Sequence, residues 1–119
     1  METKARGDFG EERAARYLRR KGYRILERNF RCRQGEIDII ARRGGVVAFV
    51  EVKLRKNPDF GEAREFVTVT KQRRVAAAAE LWLSRTGCEL QPRFDVIEIY
   101  APEGERGPLR LEHIEDAFM

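Results

Sequence analysis

Two apolar runs in the middle of the chain predict the central strands of a sheet. Residues 37–41 and 46–50 form the longest apolar stretches of the sequence and are rich in the β-branched residues that favour strands. We predict strands over residues 36–42 and 46–53, joined as a tight hairpin through Arg43-Gly44 or a slightly longer turn at 42–45. Either turn gives the same register between the two strands.

Helical spacing predicts a first helix over residues 8–21, with Asp8 as its N-cap and Gly22 just beyond its end. Glu11 falls on the same face as the apolar side chains of this helix, so it is predicted to point inward, whereas Glu12 faces solvent. The alternative is that Glu11 is a half-exposed residue of the first turn, where the helix dipole favours a carboxylate.

A second helix is predicted from the N-cap Thr70 to the residue before Gly87. Three cations crowd its first turn, namely Lys71, Arg73 and Arg74. Cations at this end oppose the helix dipole, and a bound phosphate would relieve that cost. These side chains therefore either bind phosphate or form a solvated helix end.

Shorter patterns complete the predicted order of elements. Strands are expected over residues 23–30, 93–100 and 109–114, and a loop over residues 57–65. The order α-β-β-β-α-β-β predicts one α/β domain spanning residues 1–119, with a central mixed sheet flanked by helices.

Charged side chains interrupt the two central strands and predict a site there. Burying a charge is costly unless it is paired or binds a metal, and Asp38, Glu51 and Lys53 all lie in or against apolar strands. The predicted register sets Glu36 opposite Glu51 and Asp38 opposite Phe49, so Asp38 and Glu51 are diagonal neighbours, about 7–8 Å apart. The other face is expected to be wholly apolar. Its members are Ile37, Ile39, Val46, Ala48, Val50 and Val52.

Composition limits the kinds of catalytic and metal site that the chain can form. The chain has one histidine, one serine and two cysteines, which makes a Ser-His-Asp triad improbable and leaves too few ligands for a structural zinc site. Cys32 and Cys88 are too far apart for a C-x-x-C motif and are expected to be reduced. The lone histidine, His113, is expected to be a strand or surface residue. Any catalysis is therefore expected to use carboxylates, a lysine and a hard metal ion.

The charge balance indicates either a nucleic-acid partner or a salt-bridged surface. The net charge is +4, and 19 of the 24 basic residues are arginine, whose planar fork suits phosphate. Composition alone does not decide between the two. Because the sequence contains no pattern typical of a signal peptide or a membrane span, a soluble, cytoplasmic protein is expected.

The strand-borne carboxylates and lysine have the spacing that metal-dependent phosphodiester cleavage requires. Asp38 and Glu51 would hold Mg²⁺ or Mn²⁺, and Lys53 would orient or deprotonate the attacking water. Glu11 would complete the metal shell or hold the water, and Glu36 is an accessory acid. The alternative is a structural ion-pair cluster in which Lys53 merely neutralises Glu51.

The chain also resembles the YraN-like family of small bacterial proteins, which are predicted nucleases. The most specific matches are G-E-I-D-I-I-A at residues 35–41 and V-E-V-K-L-R at residues 50–55. Further matches are Gly10-Glu11, Ala14, Tyr17-Leu18, Gly22-Tyr23, Arg28-Asn29, Lys71, Arg74, Ala78-Ala79, residues 93–96, His113-Ile114 and Ala117-Phe118.

The resemblance extends to archaeal Holliday-junction resolvases within the restriction-endonuclease-like superfamily. It implies that Asp38, Glu51 and Lys53 form the catalytic core and that Glu11 is the helix-borne acid. Position 37 is Ile where the superfamily motif has Pro. By analogy with its junction-cutting members, a homodimer is also expected.

These observations predict a Mg²⁺-dependent DNA endonuclease, selective for branched or junction DNA. Arg55, Lys71 and Arg74 are predicted to hold phosphates of the nucleic acid. The alternative is a module of the same fold that binds nucleic acid or a protein and does not cut.

Overall fold

The structure, a computed structural model, describes residues 2–55 and 68–118, and within them the elements follow the predicted order α-β-β-β-α-β-β. The predicted loop at residues 57–65 lies outside the described residues. The helices and strands are α1 (Glu2–Arg20), β1 (Arg24–Arg31), β2 (Glu36–Arg43), β3 (Val46–Arg55), α2 (Val69–Thr86), β4 (Gln91–Tyr100) and β5 (Arg110–Ile114).

The strands form one mixed sheet in the order β1-β2-β3-β4-β5. All neighbours are antiparallel except β3 and β4, which are parallel and which α2 connects in the chain. A parallel pair needs such a crossover, and its strands end at the same edge of the sheet. The carboxyl ends of β3 and β4 therefore place their last side chains next to each other.

Each face of the sheet is covered by one helix. Alternate residues of a strand point to opposite faces, so one strand can contribute to both layers. The layer under α1 contains Ala14, Ala15, Leu18, Tyr23, Ile39, Ala41, Ala48, Val50, Ile97, Ile99 and Ala101. The layer under α2 contains Phe30, Ile37, Ile40, Val47, Phe49, Val75, Ala78, Ala79, Trp82, Val96 and Phe118.

Both predicted N-caps are wrong. The first helix begins at Glu2, so Asp8 lies inside it. The second is capped by Thr68, whose hydroxyl accepts a hydrogen bond from the N–H of Lys71 and so satisfies a donor that the helix leaves open. Its predicted end is confirmed by Gly87, which has a left-handed φ of 67°. Neither helix, over the described residues, is both long and apolar enough to cross a membrane.

The predicted hairpin register is wrong by two residues. Phe49 pairs with Ile40 and Val50 with Ile39, where the prediction placed Phe49 opposite Asp38. The turn consists of Gly44 and Gly45, and Gly44 takes a φ of 58° that a side chain would resist. Because the turn begins one residue later than predicted, every pair along the two strands moves.

The predicted wholly apolar face is also wrong in part. Ile37 packs in the layer under α2, whereas Ile39 packs under α1. The pairing of β2 with β3 ends at Ile39 and Val50, and beyond it the carboxylate of Asp38 accepts the N–H of Val52. A side chain thus takes the place of a backbone hydrogen-bond acceptor. At this point of β2, successive side chains no longer alternate strictly between the two faces of the sheet.

Candidate functional site

Asp38 and Glu51 are the chain neighbours of Ile39 and Val50, the pair at which the pairing of β2 with β3 ends. Asp38 is half-buried, and its Oδ2 accepts a hydrogen bond of 2.8 Å from the N–H of Val52. Glu51 is only 5% exposed. In the observed register the two acids come next after a directly opposed pair, and the charge of Asp38 acts on Glu51.

The two carboxylates are difficult to ionise together. Burial, followed by the negative charge of Asp38, raises the pKa of Glu51 to about 7. Burial also raises the pKa of Asp38, against the opposing effect of the Val52 N–H and of Lys71. The nearby charge of Glu36 raises the Asp38 pKa further. A cation placed between the two carboxylates would relieve this repulsion.

Two lysines from different elements reach the same oxygen of Glu51. The Nζ of Lys53 on β3 lies 3.9 Å from Glu51 Oε1, and the Nζ of Lys71 on α2 lies 3.5 Å from it. The sequence predicted the first lysine as a site residue and the second only as a phosphate contact. The structure brings Lys71 into the acid pair because α2 packs on this face of the sheet.

A third buried acid, Glu98 on β4, borders the site. It is 1% exposed and stands opposite Lys53 in the parallel pairing of β3 and β4. Its Oε1 lies 3.8 Å from Nε of Arg55, and a hydrogen bond with Glu98 raises the pKa of Tyr100. The sequence prediction missed it, although Ile-Glu-Ile shows the same interruption of an apolar strand that identified Asp38.

A cationic cleft of about 320 Å³ opens beside the acid pair. It runs between the β1–β2 connection and α2, and Gly35 packs so closely there that an added Cβ would lie 2.9 Å from the carbonyl oxygen of Arg74. Glu36 stays largely exposed and pairs with Arg31 at 3.4 Å. The lining residues are Arg31, Cys32, Gly35, Glu36, Lys71 and Arg74.

Glu11 occupies the inward side of α1, as predicted. Its side chain is 13% exposed, against 49% for Glu12, and both carboxylates contact Arg28, at 4.0 and 2.9 Å. Within the described part of the chain, no three acidic, histidine or cysteine side chains are grouped as a metal site. The role of Glu11 as a third ligand thus stays a prediction.

The fold and the site can be compared with those of known proteins. The family described as "Uncharacterised protein family UPF0102" matches residues 10–99, which include both central strands and most of β4. This chain is 50% identical to the UPF0102 protein STH1475 of Symbiobacterium thermophilum, over 94% of each chain. It is 48% identical to the UPF0102 protein GSU0650 of Geobacter sulfurreducens, over 98% of this chain and 90% of that one.

A third relative shows that the similarity extends over the full length of both chains. The UPF0102 protein TTE1452 of Caldanaerobacter subterraneus is 41% identical to this chain, over 99% of it and 98% of the relative. The resemblance to the YraN-like family is thereby confirmed. Since the family match spans residues 10–99 and the relatives are 50% and 48% identical over at least 90% of each chain, the chain belongs to the uncharacterised protein family UPF0102.

Proposed function

We propose that this protein is a metal-dependent DNA endonuclease that hydrolyses phosphodiester bonds, selectively in branched or junction DNA. One observation carries the proposal: a half-buried and a buried carboxylate, both with raised pKa values, lie beside two lysines and a cationic cleft. Acids that are buried, mutually repulsive and placed next to a cleft are typical of catalytic sites.

The donor set fits a hard divalent cation. Mg²⁺ prefers oxygen ligands and often takes only one or two protein carboxylates, the rest of its shell being water and substrate phosphate. Asp38 and Glu51 would hold Mg²⁺ or Mn²⁺, with Glu11 as a further acid and Glu36 as an accessory one. When bound, the ion would make a water more acidic and offset charge on the phosphate.

The residues of the chain have distinct tasks in the hydrolysis. The oxygen of a water forms a bond to phosphorus, one phosphorus–oxygen ester bond breaks, the water loses a proton to solvent, and the leaving oxygen takes one from solvent. Lys53 orients the water and offsets the developing negative charge. Arg55, Lys71 and Arg74 hold phosphates of the DNA.

The proposal of DNA as substrate has two supports. The cleft next to the acid pair is lined by three cations, and cations that neutralise phosphates provide much of the affinity for nucleic acid. The resemblance to junction resolvases favours branched DNA and a homodimer, because a symmetric dimer can act on both strands of a four-way junction.

Cleavage assays with matched variants test the proposal. Linear, flapped and four-way DNA are incubated with the protein in Mg²⁺ or Mn²⁺, beside Asp38→Asn, Glu51→Gln and the control Glu80→Gln. Glu80 is exposed on α2 and lies outside the site. We expect the wild type and the control to cut, and the two site variants to lose at least about 100-fold in rate. Cleavage that survives both site substitutions would overturn the proposal.

A second function is favoured by the absence of a three-ligand group among the described residues and by the cationic cleft. In that case the protein binds nucleic acid without cutting it. Gel shifts that weaken steeply with salt, together with no cleavage in any divalent ion, would support this function over the first.

A further inference from the structure

We propose that Lys71, on α2, is a second catalytic lysine that contacts the scissile phosphate beside the Asp38–Glu51 pair. This inference rests on the proposed nuclease function and deepens it. It gives Lys71 a part in the chemical step, whereas the resemblance assigns that part to Lys53 alone.

Lys71 lies nearer to Glu51 than Lys53 does. Its Nζ lies 3.5 Å from Glu51 Oε1, compared with 3.9 Å for the Nζ of Lys53. Of these two lysines, the one on the helix therefore has its ammonium closer to the buried carboxylate.

Lys53 and Lys71 reach Glu51 from different parts of the fold. Lys53 lies on the same strand as Glu51, two residues further on, whereas Lys71 lies on α2. Glu98 is opposite Lys53 in the pairing of β3 and β4, but its Oε1 lies 3.8 Å from Nε of Arg55. The two lysines thus approach the acid from two elements, and a phosphate near Glu51 could contact both.

Lys71 also lines the cationic cleft, together with Arg31 and Arg74. Its side chain is 33% exposed while its ammonium contacts a buried carboxylate, so it connects the cleft to the acid pair. A phosphate that enters along the cleft would meet Lys71, whose ammonium also contacts Glu51. The positive charge would then lie next to the oxygens on which negative charge builds up during hydrolysis.

The backbone around Lys71 is held in a fixed position. Its N–H donates to the hydroxyl of the N-cap Thr68, which orders the first turn of α2. One turn later, the carbonyl of Arg74 leaves no room for a side chain at Gly35, so the helix lies directly against the β1–β2 connection. A side chain placed in this way is suited to catalysis, which requires accurate positioning.

The test compares Lys71→Met with Lys53→Met and with the control Arg73→Met. Arg73 is exposed in the same part of α2 and is not among the residues that line the cationic cleft, so it belongs to the solvated helix end and its removal deletes a similar charge outside the site. Cleavage of four-way DNA is measured in Mg²⁺ at saturating protein, and DNA affinity is measured separately in EDTA. Thermal melting of each variant shows whether it is folded.

We expect Lys71→Met to lose at least about 100-fold in cleavage rate, at least as much as Lys53→Met, and to lose less than about tenfold in DNA affinity in EDTA, which is the loss expected from one phosphate contact. Arg73→Met should stay within about threefold in both. The inference is overturned if Lys71→Met cuts like Arg73→Met, or if its losses of rate and affinity are equal.

Together with Asp38→Asn from the first assay, these variants distinguish a failure of the Lys71 proposal from a failure of the nuclease proposal. If Asp38→Asn is inactive while Lys71→Met cuts normally, Lys71 has no catalytic part and the nuclease proposal stands. If the wild type cuts none of the DNA substrates, the nuclease proposal fails and the part given to Lys71 fails with it. Lys71→Arg keeps the charge, so partial recovery of the rate is expected from it.

Discussion

The sheet carries two groups of carboxylates, and folding shifts their pKa values in opposite directions. Beside Lys71 of α2, burial raises the pKa values of Asp38 and Glu51. On the face of α1, Asp95 is completely buried and its pKa is nevertheless held below its usual value. Ionised Asp95 therefore stabilises the folded state, whereas ionised Asp38 and Glu51 destabilise it.

Hydrogen bonding accounts for the behaviour of Asp95. Burial alone would raise its pKa, but donors from His113, Arg93 and the N–H of Asp116 reverse the effect. Arg93 donates two hydrogen bonds of 2.8 and 2.7 Å, and His113 Nε2 lies 2.8 Å from Oδ2. His113 is thus a buried structural residue on β5, in agreement with its expected place in a strand, and its Nδ1 lies 3.0 Å from the hydroxyl of Tyr17.

Among the residues that the structure describes, Glu51 has weaker partners. They are two lysines at 3.5 and 3.9 Å, both longer than a hydrogen bond to a charged group normally is, and the negative charge of Asp38 acts on it as well. Unfavourable electrostatics that a bound cation would relieve are common at functional sites. The contrast with Asp95 is what makes the Asp38–Glu51 pair a candidate site.

The largest loss of stability is expected from replacing Asp95, the carboxylate that Arg93 and His113 bind. Asp95→Ala would leave Arg93 and His113 without their buried partner, and breaking a buried pair in this way costs about 3–5 kcal/mol of unfolding free energy. Urea denaturation measures it. The control Glu115→Ala removes an exposed carboxylate 3.7 Å from Arg93 and should cost less than about 1 kcal/mol. Equal effects of the two substitutions would contradict the comparison.

At the candidate site, replacing a carboxylate is expected to raise the stability of the protein at pH 8. The pKa of Glu51 rises from 4.5 to about 7 on folding, so the folded protein binds more protons between these pH values and loses stability as pH rises through them. Glu51→Gln carries no such penalty and should be more stable than the wild type at pH 8, by up to roughly 3 kcal/mol.

This gain should largely disappear near pH 4.5, where Glu51 is protonated in the folded state and about half protonated in the unfolded state. Denaturation curves of both proteins at pH 4.5, 6 and 8 measure the pH dependence. A Glu51→Gln variant that is less stable than the wild type at pH 8 would show that the lysines stabilise Glu51 as fully as His113 and Arg93 stabilise Asp95.

A smaller effect is expected from the packing that holds α2 over the site. Gly35→Ala would place a Cβ 2.9 Å from the carbonyl oxygen of Arg74, and such overpacking costs about 1–3 kcal/mol. Gly45→Ala is the control, because an added Cβ there meets nothing within 4 Å. Thermal melting compares the two, and equal stabilities would mean that α2 can shift without cost.

Much of the fold follows from local patterns, whereas contacts between elements do not. The β-branched runs predicted β2 and β3, and helical spacing predicted both helices. The register was missed because the run Arg42-Arg43-Gly44-Gly45 permits more than one turn. The N-cap of α2 was missed because Thr68 and Thr70 are equally good caps by residue type.

The candidate site was also predictable only in part. Asp38, Glu51 and Lys53 were visible because charges interrupt apolar strands, and Glu98 could have been found by the same pattern. The contact of Lys71 with Glu51 could not, since it depends on how α2 packs across the sheet. Sequence patterns identify which side chains are unusual, and tertiary packing determines which of them meet.

The central claim is that the Asp38–Glu51 pair is a cation site, and a crystal soaked in Mn²⁺ tests it most directly. The account predicts one anomalous peak bound by a carboxylate oxygen of each residue, which Glu51→Gln abolishes while Glu80→Gln keeps it. An absence of any peak at this pair, with Glu51 still held by Lys71 and Lys53, would contradict the account.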